Sequence, residues 1–323
     1  MKKDIGDNIV KSLTSNKSFW LGIAIISIVL YHMPRVYSLL NVFNPGFIGV
    51  DFFLFFSGFS LCYSFEKNNL SVFYKRRFLR IYPMFFVLSL TLCVLSVCRG
   101  GQLSLFDWFC NLTTLSYYKI GGFFIDWYLC SIFLFYLLFP VFYYLTKRFQ
   151  WMVSMVVTIV VFILVSYYDI DWWYGCAIGR LPIFCLGVLC FLDKSNKKKN
   201  YFTCSLFYLI TFFISVVLIY KKGAFMRGYF LTDMITPSLL IILSYFLYKM
   251  PSIVDWRTSN IVSTLGQYTL EIYVANVITM ALIKDFSRTI EGWLVLLLYF
   301  GINILIAIVL VIINKRIKMF AKI

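Results

Sequence analysis

The chain has 323 residues, of which 61% are apolar and only 14% charged, with a formal net charge of +16. The charged residues fall in short clusters between long apolar runs, the pattern of a polytopic membrane protein, which excludes a soluble globule. The basic residues sit at the ends of those runs and not on one aromatic-studded face, so lipid headgroups and topology account for them, and nucleic acid is excluded as a partner.

Residues 1–17 are polar and basic (Lys2, Lys3, Lys11, Lys17), and no small-residue cleavage pattern follows the first apolar run. This reads as an uncleaved anchor and not as a signal peptide. At about 20 apolar residues per crossing, the sequence predicts an all-α bundle of about ten transmembrane helices. They fall near 18–35, 46–65, 81–99, 124–145, 151–168, 177–192, 201–220, 229–248, 267–284 and 292–314. An even count puts both termini on one face. Most of the basic residues then lie on that face, among them Lys67, Lys75, Arg76, Arg77, Arg80, Lys194, Lys197, Lys198, Lys199, Lys315, Arg316 and Lys318. The excess favours cytoplasmic termini. No compositional break divides 1–323, which is read as a single integral-membrane domain, with the lipid bilayer as its surroundings.

The first helix carries FWLGIAIISIVLYHM (19–33) and the only histidine in the chain, His32. Imidazole is the one side chain whose ordinary pKa lets it take and give a proton near neutrality, so a lone His at the end of a membrane-length helix is a candidate general base. A structural, hydrogen-bonded histidine is the alternative. Counting from Lys17 at about 1.5 Å per residue places His32 roughly 22 Å further out, in the outer part of a core about 30 Å thick.

The second helix enters from that side through Pro45-Gly46-Phe47-Ile48-Gly49-Val50-Asp51, so Asp51 arrives at a similar depth. A carboxylate there needs a partner, and an Asp on one ring nitrogen of His32 would set the tautomer and leave the other nitrogen as the base. The other reading makes Asp51 an interfacial cap. The segment FYKRRFLRIYP (73–83) follows as an inside loop. Arg77 and Arg80 are three apart and share a helix face, where two guanidinium forks can hold phosphates; positive-inside topology is the alternative. Residues 100–123 form the longest outside connection, and its Trp108, Phe109, Tyr117 and Tyr118 fit an interfacial or re-entrant segment.

Asp126 and Trp127 open the fourth helix at its outer end, where Trp127 is also an ordinary aromatic-belt residue. Asp169, Asp171, Trp172, Trp173 and Tyr174 form an acidic, aromatic outer loop suited to stacking on sugar rings or to an interfacial belt. Arg180 begins an apolar helix beside Pro182; it either faces the bundle, bound to a carboxylate, a phosphate or the acceptor, or snorkels to the interface. Glu271 lies between Tyr268 and Tyr273 in the ninth helix, as a partner for a basic residue or a wall of an acceptor cavity. The nine cysteines mostly lie in apolar runs, lack C-x-x-C spacing and have one His to cooperate with, so a metal site is not expected. Cys110 and Cys176 fall in loops, and spacing alone leaves their pairing open.

FWLGIAIISIVLYH, GFIGVDFFLFFSGF and FYKRRFLRIYP, in this order and spacing, resemble the N-terminal signature of the integral-membrane acyltransferase-3 family, the O-acetyltransferases of bacterial surface polysaccharides and related acceptors. The resemblance continues in Asp126-Trp127-Tyr128-Leu129 running to Tyr136 and Pro140, in Arg180-Leu181-Pro182-Ile183-Phe184 with Gly187, and in 265–273 (LGQYTLEIY). It implies a ten-helix bundle in the inner (plasma) membrane that moves an acyl group, usually acetyl, from cytosolic coenzyme A to a sugar hydroxyl. By position His32 matches the essential histidine, Asp51 the acid of G-V-D-x-F-F, Ser57 and Gly58 the following S-G, and Arg77 and Arg80 the R-x-x-R pair. Three features depart from the pattern. Leu21 stands where the family commonly has an Arg eleven residues before the histidine, W-S-L-S-V-E reads WYLCSI at 127–132, and the late-helix His of some relatives is Asn276. The extra extracytoplasmic esterase-like domain of longer members has no room in 323 residues.

The implied scheme has acetyl-coenzyme A as donor, with its phosphates on Lys75, Arg76, Arg77 and Arg80. His32, oriented by Asp51, deprotonates the acceptor hydroxyl for direct transfer or passes the acyl group through an acyl-histidine. Ser57, Asp126, Trp127, Tyr128, Arg180, Glu271 and Tyr273 would line the cavity for a carbohydrate acceptor. The acceptor's identity and the oligomeric state are not encoded in these motifs. The rival reading is a transporter or flippase for a glycan or lipid-linked sugar, which would carry internal repeats and paired broken helices that the sequence does not show.

Overall fold

The computed structural model describes residues 15–34, 36–123, 125–167, 170–193, 206, 210, 260–286 and 292–321. Among them the regular elements are helices: α1 (Lys17–His32), a 3-10 segment (Ser38–Ile48), α2 (Gly49–Lys67), α3 (Leu70–Cys98), α4 (Leu105–Leu112), a short 3-10 turn (Leu115–Tyr118), α5 (Trp127–Phe149), α6 (Trp151–Tyr167), α7 (Trp172–Gly179), α8 (Leu181–Asp193), α9 (Ile261–Gln267), α10 (Thr269–Phe286) and α11 (Gly292–Ala321). Among the described residues, five stretches are long and apolar enough to cross a membrane: Ser38–Lys67, Leu70–Cys98, Trp127–Phe149, Trp172–Asp193 and Gly292–Met319. The apolar helices Lys17–His32 and Trp151–Leu164 are shorter. Apart from residues 206 and 210, the predicted helices at 201–220 and 229–248 lie outside the described residues.

Two boundaries differ from the sequence reading for physical reasons. The basic stretch 73–80, expected as a loop, is the first half of α3, because Lys, Arg, Leu and Phe all sustain a helix and Pro83 only removes one ladder hydrogen bond. The sixth predicted helix starts earlier and is broken into α7 and α8 at Arg180, with Pro182 in the first turn of α8, where the missing N–H costs nothing. The connection 100–123 contains α4, closed by a capping box: Ser104 accepts from the Asp107 N–H while Asp107 accepts from the Ser104 backbone. Leu105, Phe106 and Phe109 on this helix are exposed, the amphipathic face expected of an interfacial segment.

The described residues fall into two compact units, interleaved in sequence: one drawn from 1–24, 48–70 and 137–266, the other from 25–47, 71–136 and 267–323. In the first, α2 packs on α8 and α6 on α8. The α2–α8 contact is a reciprocal glycine contact. A methyl group added to Gly58 would lie 2.2 Å from the Phe184 carbonyl oxygen, and one on Gly187 would lie 2.1 Å from that of Phe55. Small residues let apolar helices approach backbone to backbone and gain dispersion where lipid offers no hydrophobic drive. Gly22 and Gly266 do the same for α1 and α9: a methyl on Gly22 would sit 1.9 Å from the Val262 carbonyl oxygen and one on Gly266 1.7 Å from that of Ser18. In the second unit α10 packs on α11, and Met33, Ile283, Val295 and Tyr299 form a buried cluster at the C-terminal end of α1.

Candidate functional site

In the second unit, α1 ends at His32. The helix leaves its last four carbonyls without intrahelical partners, and one of them, Val29, is met by the Tyr299 hydroxyl of α11 at 2.7 Å. The Asn276 side-chain amide of α10 lies 2.8 Å from His32 Nδ1. The other end of that amide lies 2.5 Å from the Tyr299 hydroxyl and 3.3 Å from the Asn303 amide. Asn276, Tyr299 and Asn303 are all buried. Tyr31 packs beside the imidazole with ring centroids 4.9 Å apart and also against Phe47, at 5.6 Å. The histidine is thus gripped at Nδ1 by a neutral amide network built from three helices.

Asp51 pairs with Arg180. In the first unit it sits in the opening turn of α2 and accepts from Arg180 Nε at 2.8 Å, with both side chains almost fully buried. Arg180 also donates from Nη1 to the Cys176 carbonyl oxygen at 3.0 Å. Of the two readings for Arg180, the carboxylate-bound one describes what the side chain does. Ser57 lies half-buried on α2.

Three of the expected cavity residues meet. Asp126 caps α5, accepting from the Leu129 N–H at 2.7 Å and from the Tyr273 hydroxyl at 2.8 Å. The Tyr273 and Tyr128 rings pack edge to face at 5.0 Å. Trp127, beside them in sequence, is only half-buried. Glu271 is buried and hydrogen-bonded by the Asn314 amide of α11. Among the described residues, the partners that sequence reading missed are Asn276, Tyr299, Asn303 and Asn314. Their signal was available, since each is a polar group in an otherwise apolar helix.

The α3 basic residues are graded in exposure. Lys75, Arg76 and Arg80 are exposed, whereas Arg77 lies over the Phe73 ring at 5.9 Å and its buried Nε has no hydrogen-bond partner among the described residues. An orphaned guanidinium donor beside three exposed cations suits a phosphate-bearing substrate, whose oxygens satisfy the donor as no neutral group does. Cys110 and Cys176, whose pairing was open, carry free thiols on α4 and α7. Among the described residues no three His, Cys, Asp or Glu side chains are grouped to hold a metal ion.

The sequence matches the family model for an acyltransferase domain, acyltransferase-3, over residues 22–312. Neither the curated proteins nor the solved structures compared contain a match. The family match takes in His32, Asp51, Arg77, Asp126, Arg180, Glu271, Tyr273, Asn276, Tyr299 and Asn303, and with the apolar helices it assigns the chain: it belongs to the acyltransferase-3 family and is a membrane acyltransferase.

Proposed function

We propose that this acyltransferase moves an acetyl or other short acyl group from cytosolic acyl-coenzyme A to a hydroxyl of a cell-surface polysaccharide or sugar precursor. It works in the inner (plasma) membrane, as a multi-pass protein with both termini cytoplasmic. The observation that carries the reading is a single imidazole whose Nδ1 is held by buried, uncharged partners, the arrangement a general base needs. The buried donor of Arg77 and the exposed Lys75, Arg76 and Arg80 support a phosphate-rich donor substrate. In this mechanism His32 takes the proton of the acceptor hydroxyl as its oxygen attacks the thioester carbonyl. The C–S bond then breaks, and the coenzyme A thiolate leaves with that proton. Asp126, Tyr128 and Tyr273 supply hydroxyl, carboxyl and ring surfaces suited to a sugar, and Ser57, Trp127, Arg180 and Glu271 complete the proposed acceptor surroundings. The ion pair with Arg180 gives Asp51 a task in holding α2 and the α7–α8 break.

The test is release of free coenzyme A thiol by the purified full chain in liposomes given acetyl-coenzyme A and a glycan acceptor, with mass spectrometry of the glycan. Acceptor acetylation that His32→Ala abolishes in a folded protein supports the reading. Movement of a glycan across the bilayer with no thiol release establishes the transporter alternative instead.

A further inference from the structure

The Tyr299 hydroxyl has one proton and two close oxygen neighbours, the Val29 carbonyl at 2.7 Å and Asn276 Oδ1 at 2.5 Å. Both are acceptors, so one of these short O···O contacts has no hydrogen in it. An unbridged contact of that kind in a buried site is repulsive. A carbonyl oxygen is never a donor, whereas the two ends of a side-chain amide occupy equivalent positions and exchange by a half-turn about χ2.

Turning the Asn276 amide removes this conflict at the Tyr299 hydroxyl. Tyr299 donates to Val29 and accepts from the Asn276 amide nitrogen. That nitrogen's second proton faces Asn303, whose own amide turns to present its oxygen. The Asn276 oxygen then faces His32 Nδ1 across the same 2.8 Å.

We propose that Asn276 presents its carbonyl oxygen to His32, so that Nδ1 carries the proton, the basic lone pair sits on Nε2, and Asn276 and Tyr299 act together as positioning residues for the ring. The catalytic consequence rests on the acyl-transfer reading above: a hydroxyl approaching Nε2 meets a lone pair and not an N–H. The opposite amide orientation would place the proton on Nε2 and leave the ring unable to act as a base there. Tyr299 thereby binds the Val29 carbonyl at the end of α1 and fixes the direction of the Asn276 amide.

Because His32 is the only histidine, ¹⁵N-histidine labelling of the full chain in nanodiscs reports this ring alone. At a pH where the ring is neutral, the expected spectrum shows a protonated Nδ1 and an unprotonated Nε2. A ring protonated mainly at Nε2 overturns the proposal. In Tyr299→Phe the amide loses its orienting partner, and the population shifts toward the Nε2–H form; an unchanged ratio removes Tyr299 from the scheme. Asn276→Leu lowers kcat roughly 10²-fold or more with little change in KM, on the scale of general-base catalysis, and Asn276→Asp, which can only accept from Nδ1, restores most of it. Equal loss in both variants overturns the positioning role. The tautomer is read without substrate, so it stands or falls separately from acyl transfer, which His32→Ala tests.

Discussion

Asp51 and Arg180 form a buried ion pair, 2.8 Å from Nε to Oδ1, at the N-terminus of α2 and the junction of α7 and α8. The pair is stabilised further by the helix dipole at Asp51 and by the Cys176 carbonyl at Arg180. Removing one partner leaves a buried charge unmatched, at a cost of about 3–5 kcal/mol. Asp51→Asn and Arg180→Met are each expected to lower the Tm in detergent by several degrees or abolish folding. The double variant is expected to be more stable than the sum of the two losses, and additive Tm changes would show the pair is not coupled.

The acyl-transfer reading makes His32 the proton acceptor. His32→Ala is expected to lower thiol release by roughly 10²–10⁴-fold while size-exclusion behaviour and Tm stay near those of the wild type. His32→Gln, which keeps a polar group near Asn276, is expected to be as inactive as the alanine variant.

Arg77 is distinguished from its neighbours by its buried Nε, which has no hydrogen-bond partner among the described residues. Arg77→Gln is expected to raise KM for acetyl-coenzyme A by about tenfold or more, the loss of one charge-assisted bond at a phosphate, with a smaller effect on kcat. Lys75→Gln, at an exposed position, is expected to change KM less, and its effect fades with added salt. Matching effects in the two variants would remove any special role for the buried donor.

The Gly58–Phe184 and Gly187–Phe55 contacts leave no room for a side chain. Gly58→Ala and Gly187→Ala each push backbone against backbone in the middle of the α2–α8 pair. The expected cost is at the upper end of the roughly 1–3 kcal/mol typical of overpacking, read as a lower Tm. Gly301→Ala is a control, since among the described residues nothing lies within 4 Å of its added methyl.

At the start of α4, the Ser104 hydroxyl at 2.7 Å, the Gly122 N–H at 2.8 Å and the Ser104 N–H at 3.0 Å all donate to the Asp107 carboxylate. They hold its pKa below the ordinary value of 3.8. A folded pKa below the unfolded one contributes stability that is present above the unfolded value, near 3.9, and is lost as pH falls through the folded value. The protection of amides in 104–122, relative to intrinsic exchange at the same pH, is therefore expected to fall below about pH 4 in the wild type. In Asp107→Asn it should already be lower at neutral pH and show no such acid transition.

Much of the architecture was legible along the chain because each apolar run must satisfy its own backbone in lipid, and a helix does so with local hydrogen bonds alone. Composition therefore determined the class, and the family motifs carried the assignment of His32, Asp51 and the α3 arginines as residues to watch. The basic segment of α3 was misread as a loop because positive charge marks topology without interrupting helical hydrogen bonding. What only the tertiary structure decided is pairing. Asp51 meets Arg180 from 129 residues away, and His32 meets Asn276 from 244 residues away. Depth counted along a helix locates a polar group but does not say which distant helix faces it. That choice is made by helix packing, here through glycine pairs that bring backbones together, and by the need to match every buried donor with an acceptor.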